Sequence, residues 1–238
     1  MIINTNPIAE RFIFKSAPIF SGLPENIKEV FAAQMVLKQF RKGQNIFTEG
    51  TYPAGIYFIK KGKVKKYKTL NGAKEQIIYI CSEGELLGYA AFLGEERYPD
   101  SAAVLTDSTI GFIPKEKLLI LMNQYDEISK MLTKNLSHEF GVLVNVIATY
   151  TRKSVRERVA LTFLILHEKF KDNGNETGEV FIDLSREDFA NIVGTAVETL
   201  VRLLHDFKEE NLIETQGRKI LIKNMPQLLK IANVTDAF

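Results

Sequence analysis

One cysteine, Cys81, is all the thiol this 238-residue chain carries. That excludes a disulfide within the chain and a self-contained iron–sulfur centre, which takes about four thiolates. At the end of an apolar strand, Cys81 reads as a buried structural thiol. Histidine is scarce: His138, His167 and His205 all fall in stretches with helical spacing, so no strand offers an imidazole to a metal. No metal site and no cofactor is expected. Long apolar runs are missing too; none approaches the roughly 18 residues that cross a bilayer. The opening MIINTNPIAERF lacks a basic segment followed by an apolar one, so no secretion signal is expected. The cytoplasm is the expected location, with no membrane partner. There is no Gly-x-Ser-x-Gly, no P-loop and no nucleophile–base pair, so enzymatic activity is not expected. Excess charge is absent as well. The formal net charge is +2, and residues 151–238 carry 13 Lys/Arg against 14 Asp/Glu. Any nucleic-acid footprint must therefore be local.

What is present is a soluble, globular balance, 45% apolar and 25% charged. The most informative stretch is Ser185 to Lys223. Ser185 precedes Asp188 by three, and Thr195 precedes Glu198 by three. Each is a capping-box pattern that starts a helix. Between them, Ile192-Val193-Gly194-Thr195 is a short turn with a glycine, as in a helix-turn-helix. The second helix sends Val197, Leu200, Val201, Leu203, Leu204 and Phe207 toward a core. Glu198, Thr199 and Arg202 lie on other faces. Glu and Arg suit cytosine N4 and guanine O6/N7 in a major groove. A hairpin follows, Leu212 to Thr215, a Gln216-Gly217 turn, and Lys219 to Lys223, its tip basic at Arg218 and Lys219. The whole reads as a winged helix-turn-helix for double-stranded DNA, with Thr195, Glu198, Thr199, Arg202, Arg218 and Lys219 at the interface. Cations at Arg152, Lys153, Arg156 and Arg158 would add to it, with Glu209, Glu210 and Glu214 turned away. The plainer alternative is an α+β packing unit in which Glu198 only caps its helix and Arg202 pairs with Asp206.

Upstream, residues 9–33 look helical, broken at residues 19–24. From Val36 to about Pro114, short apolar runs alternate with glycine turns. Ile56 to Ile59 is a strand, and Val64 to Thr69 returns with Val64 and Tyr67 inward. Lys63, Lys65, Lys66 and Lys68 are expected to be mostly wet. Asn71-Gly72 is a hairpin turn, and Lys74 to Cys81 pairs back. Even spacing of this kind gives an antiparallel sandwich or barrel. From Tyr125 to Tyr150, apolar residues recur at three- and four-residue steps: Ile128, Met131, Leu132, Leu136, Phe140, Leu143, Ile147. So long a stripe predicts a partner helix and a homodimer. Ser154-Val155-Arg156-Glu157 is a third capping box, opening a helix over Val155–Phe170. Lys171 to Glu179 is a polar loop, and Val180 to Asp183 a short strand. The expected domains are 1–150, with its dimerisation helix 125–150, and 151–238.

Taken in order, several pieces resemble the CRP/FNR family of bacterial transcription regulators over nearly the whole chain. They are Phe20-Ser21-Gly22-Leu23; Phe40-Arg41-Lys42-Gly43 with Ile46 to Gly50; Ile56 to Val64; Gly84-Glu85-Leu86-Leu87-Gly88; and Val197 to Leu204. The resemblance implies an α+β chain: an N-terminal antiparallel jelly roll like a cyclic-nucleotide-binding domain, a dimerisation helix, and a C-terminal winged helix-turn-helix. It implies a homodimer on palindromic DNA, RNA polymerase as a partner if the protein activates, and a small-molecule effector in the roll. The family's FNR-type sensing uses a cysteine cluster, which one cysteine cannot supply.

The chain departs from the family's cyclic-nucleotide binders inside the roll. There a carboxylate takes the ribose hydroxyl, and an arginine with a helix N-terminus holds the cyclic phosphate. Here Gly88-Tyr89-Ala90-Ala91-Phe92 puts Tyr89 where the Glu is expected. Asp100-Ser101 puts an acid where the Arg is expected, with Arg97 three positions earlier as the available cation. Leu143-Val144 stands where a Thr-Ser pair would meet the base. The effector-site candidates are Gly88, Tyr89, Ala90, Arg97, Asp100, Ser101, Leu143 and Val144, and cAMP is not the expected ligand; a filled, ligand-free roll, with Tyr89 and Phe92 in the old site, stays equally open. Two other functions stay open on sequence. One is a regulatory ligand-binding subunit whose C-terminal domain docks on protein. The other is a cupin-like metalloenzyme, which the strands without histidine disfavour.

Overall fold

The computed structural model describes residues 11–70, 74–171 and 179–234. The chain divides into two compact units, Phe14–Phe140 and Gly141–Phe238, the latter also taking in the residues up to Ile13. The division falls inside a helix, where the sequence suggested the hinge at residue 151.

The first unit opens with helices α1 (Ala17–Ser21) and α2 (Glu25–Ala33). Residues 13–16, expected to be helical, are not. In this unit Phe14 and Ser16 are buried instead, and the Ser16 hydroxyl accepts from the Leu86 N–H at 2.9 Å. Eight strands follow: β1 (Val36–Phe40), β2 (Asn45–Phe47), β3 (Gly55–Lys61), β4 (Val64–Thr69), β5 (Glu75–Cys81), β6 (Leu86–Leu87), β7 (Ser101–Val104) and β8 (Ser108–Pro114). They form two four-stranded antiparallel sheets, ordered β1-β8-β3-β6 and β2-β7-β4-β5. That pairing of distant strands is a jelly roll. The Asn71-Gly72 turn lies outside the described residues. Phe47, Ile59, Val64, Cys81, Leu87, Ala102, Val104 and Ile110 fill the roll. A short helix α3 (Tyr89–Leu93) sits between β6 and β7, and α4 (Lys115–Gln124) follows β8. Residues 115–124 carry no assignment from sequence.

The long helix α5 spans Asp126–Tyr150, as its apolar period predicts. Ile128, Met131 and Leu132 are buried, whereas Leu136, Phe140, Val144 and Ile147 are exposed, Phe140 to 68%. Steps of four, four and three put these last four on one side of the helix.

The second unit contains α6 (Val155–Phe170), β9 (Phe181–Asp183), α7 (Arg186–Val193), α8 (Val197–Glu209), β10 (Ile213–Gln216), β11 (Lys219–Ile222) and α9 (Met225–Ala232). Both arms of the Ser154–Glu157 capping box are made at the start of α6. Phe163 packs edge-on against Phe189 and Phe207, at 4.9 and 5.9 Å between ring centres, which fastens α6 to α7 and α8. The small sheet is ordered β10-β11-β9. The polar loop expected over 171–179 lies almost wholly outside the described residues.

Candidate nucleic-acid interface and effector site

Helices α7 and α8 meet through a turn that glycine makes possible. Gly194 closes α7 at φ 71°, a left-handed conformation that costs other residues energy. The N–H groups of both Gly194 and Thr195 donate to the Ala190 carbonyl, at 2.9 and 3.1 Å. Thr195 is thereby used to finish α7, and Ala196 is the N-cap of α8, without a side-chain cap bond. The Thr195–Glu198 capping box is therefore not made, a correction to the sequence reading. Ser185, by contrast, caps α7, its hydroxyl accepting from the Asp188 N–H at 2.9 Å.

On α8 the buried face is Leu200, Leu204 and Phe207. Val201 does not join it; the residue is 48% exposed, against expectation. Counting 3.6 residues per turn puts Val201 on the same outward stripe as Glu198, Arg202 and His205. Glu198, Thr199 and Arg202 are all exposed. Among the described residues, Arg202 makes no ion pair with Asp206, so its guanidinium is not consumed internally. Glu198 and Arg202 lie one turn apart on the first turns of α8, on the same side of the helix.

The other cations are mostly engaged within the unit. Arg158 donates through Nε to the Val193 carbonyl (3.1 Å) and through Nη2 to that of Gly194 (3.3 Å). It thus satisfies the carbonyl end of α7 and sets the turn. Arg156 donates through Nη2 to both carboxylate oxygens of Glu210, at 2.7 and 2.6 Å, and lies over the Phe207 ring. Lys153 donates to the Ala232 and Asn233 carbonyls at the end of α9, at 2.6 and 3.0 Å. The expected free basic end at Lys153, Arg156 and Arg158 is therefore a set of internal ties.

In the wing, Gln216 pairs with Lys219, so the turn is Gly217-Arg218, one residue later than read from sequence. Arg186 donates to the carbonyls of Gly217 (3.1 Å) and Arg218 (3.2 Å), holding the tip. Arg218 itself is paired with Asp183. Lys219 is exposed, its ammonium 5.8 Å from the centre of the Phe181 ring. Sequence reasoning missed the positioning roles of Arg158 and Arg186. An arginine three residues after a helix start carries no mark of the carbonyl it will meet.

The roll interior differs more from expectation. Gly88 is left-handed at φ 78° before α3, and a Cβ there would sit 3.1 Å from the Tyr98 ring. Tyr89 is 2% exposed and donates to Glu139 Oε2 at 2.5 Å. Asp100 is buried against Lys66, 3.0 Å away. Burial raises the Asp100 carboxyl above its ordinary range, against the pull of Lys66. Lys66 was expected in solvent and is buried instead. Its burial alone would lower the ammonium, yet Glu139 and Asp100 outweigh that and hold it above the ordinary range. Ser101 is buried and accepts from the Glu49 N–H at 2.9 Å. Arg97 is not brought to this cluster. It is exposed, donating to the Gly50 carbonyl and lying over Tyr52. Ala90 is half-buried. The α5 residue that reaches the cluster is Glu139; Leu143 is half-buried and Val144 exposed. Among the described residues no group of histidine, cysteine and carboxylates could hold a metal, and no helix is long and apolar enough to cross a membrane.

Comparison with known proteins settles the family. Residues 37–125 match the model of the cyclic nucleotide-binding domain, and residues 157–231 that of the Crp-like helix-turn-helix domain. The two models together match most of the chain, in the order the fold shows. The chain belongs to the CRP/FNR family of transcriptional regulators. Within that family it is 29% identical over 198 residues to the fumarate and nitrate reduction regulatory protein of Vibrio cholerae, covering 83% of this chain and 79% of that protein. It is 26% identical to the transcriptional activator protein Anr of Pseudomonas protegens, covering 91% and 89%. FixK2 from Bradyrhizobium japonicum shares the fold at a TM-score of 0.70 and 21% identity, over 83% of this chain and 96% of that one. A CRP/FNR-family transcriptional regulator from Thermus thermophilus does so at 0.70 and 20%, over 83% and 98%. The protein is a DNA-binding transcription regulator and not an enzyme.

Proposed function

We propose that the protein acts as a homodimer on a palindromic duplex site, with α8 in the major groove of each half-site. Residues 151–238 serve as the DNA-binding domain, and residues 1–150, with the helix 125–150, as the effector-type and dimerisation domain. The observation that carries this reading is the outward face of α8. Glu198, Thr199 and Arg202 are exposed there while neighbouring arginines are spent on internal carbonyls and carboxylates. The exposed stripe Leu136, Phe140, Val144 and Ile147 on α5 supports the dimer. Two-fold symmetry then spaces the half-sites about one helical turn, roughly 34 Å, apart. The protein works in the cytoplasm, and it contacts RNA polymerase where it activates.

The roll does not take cAMP in this reading. A cyclic phosphate would meet Asp100 and Glu139, two buried carboxylates, with Tyr89 in place of a ribose-binding acid. The test is selection of duplexes from a random pool by the full-length protein, with light scattering of the free and bound forms. An enriched inverted repeat and a dimer are expected. A monomer in both states, or no enriched sequence, would overturn the reading, and the latter would favour a C-terminal domain that docks on protein. Micromolar cAMP binding by calorimetry would overturn the effector part.

A further inference from the structure

Lys66 is a charged group buried in the roll, and its surroundings are built like a receptor. An ammonium carries three N–H donors. At Lys66 three acceptors meet them: Asp100 Oδ2 at 3.0 Å, Glu139 Oε1 at 3.2 Å and the Tyr79 hydroxyl at 2.8 Å. Tyr79 and Tyr89 in turn donate to the two oxygens of Glu139. Lys66, Asp100 and Glu139 are all at most 8% exposed. They come from β4, the residue just before β7, and α5, so the ammonium joins one sheet to the long helix. Asn135, one turn before Glu139, is also fully buried, which makes this stretch of α5 polar on the side that faces inward. An apolar contact would hold a helix against a sheet at lower desolvation cost. A polar one specifies a single rotation of the helix, and in α5 that rotation decides which side carries the exposed Leu136 and Phe140.

We propose that the interior of the roll is a primary-ammonium site whose occupant is the chain's own Lys66, so that α5 is set for dimerisation with no small-molecule effector. The dimer and DNA parts of this inference rest on the function proposed above; the ammonium site does not. In this scheme Lys66 ties sheet to helix from within. A soluble anion has no place beside Asp100 and Glu139, and a soluble cation finds the acceptors taken.

Chemical rescue in the full-length protein tests it. Lys66→Ala removes the equivalent of n-propylammonium and strands two buried carboxylates. A fall in melting temperature of about 10 °C is expected, with DNA affinity lowered tenfold or more. Millimolar n-propylammonium should restore most of both. Tetramethylammonium, which has no N–H to donate, and sodium chloride at the same ionic strength should not. Equal rescue by all three, or a variant as stable as the parent, would overturn the proposal. Should Lys66→Ala not fold even with n-propylammonium, the unaltered protein still decides: neither alkylammonium nor cyclic nucleotides should shift its melting or its DNA affinity, and a shift by either overturns the internal occupant. If the parent binds no palindrome at all, the function above fails, while melting-temperature rescue still reads the ammonium site alone.

Discussion

Arg218, at the tip of the wing, donates through Nε (3.1 Å) and Nη2 (2.9 Å) to a single oxygen of Asp183. Both side chains are about half exposed, at 52% and 46%, so the pair adds little stability, about 0.2–1 kcal/mol at most. Its consequence is for DNA: a guanidinium held by a carboxylate is a weak phosphate partner until that carboxylate lets go. Asp183→Asn should therefore tighten DNA binding about two- to fivefold and steepen the salt slope by about one. Titrations at several salt concentrations check this. An unchanged slope would mean that Arg218 stays clear of the backbone.

The exposed stripe on α5 gives a second outcome. Phe140 and Ile147, 68% and 63% exposed, sit about two turns apart on one side of the helix. Phe140→Asp places a charge in the proposed interface, and burying an unpaired charge costs several kcal/mol. The variant should be a folded monomer by light scattering, with unchanged melting of its isolated roll signal and specific DNA binding reduced about a hundredfold or more. A Phe140→Asp dimer would move the interface elsewhere.

Most of the architecture was legible because it rests on periodicity. The strands β4 and β5, the helices α5 and α6, and the order of the two units follow from where apolar residues recur and where glycine interrupts them. The roll interior was not legible, and Lys66 shows why. Val64 was rightly read as inward, and a two-residue period puts Lys66 on the face of Val64. Pairing Val64 with Tyr67 instead broke that period, which a register shift in the β4–β5 ladder between Lys66 and Tyr67 accommodates. Charge then argued for solvent, because the carboxylates that pay for its burial, Asp100 and Glu139, lie 34 and 73 residues away. The α8 start failed for a related reason. Thr195 fits a cap by spacing, yet the end of α7 claims its N–H first.

The capping box before α6 predicts a pH effect. The Ser154 hydroxyl, then its N–H, donate to Glu157 and hold that carboxyl below its ordinary value of 4.5. A folded value below the unfolded one stabilises the fold fully above the unfolded value. The contribution is lost as pH falls through the folded one. Glu157→Gln should therefore flatten the loss of stability seen between about pH 5 and about pH 3, with little change at neutral pH. Ser154→Ala should cost about 1 kcal/mol at neutral pH. Denaturant titrations across that range measure both. A Glu157→Gln curve parallel to the parent's would remove the box from the acid response.

The exposed face of α8, proposed above to enter the major groove, carries the most specific outcome. Glu198 and Arg202 are exposed one turn apart, and Arg202 is not tied to Asp206. Arg202 has the two parallel donors that guanine O6 and N7 accept, and Glu198 the acceptor for cytosine N4. Arg202→Ala should cost about 1–3 kcal/mol per half-site and relax selection at one base pair, leaving the others intact. Glu198→Ala should relax a neighbouring position. Thr199 and Lys219 are expected on phosphate, so Lys219→Ala should weaken all sequences alike and lower the salt slope by about one. Binding-site selection on each variant separates the two classes, because a base contact changes the preferred sequence and a phosphate contact changes only affinity. If Arg202→Ala selects the same sequence as the parent, with the same strength at every position, then α8 does not read bases through this pair.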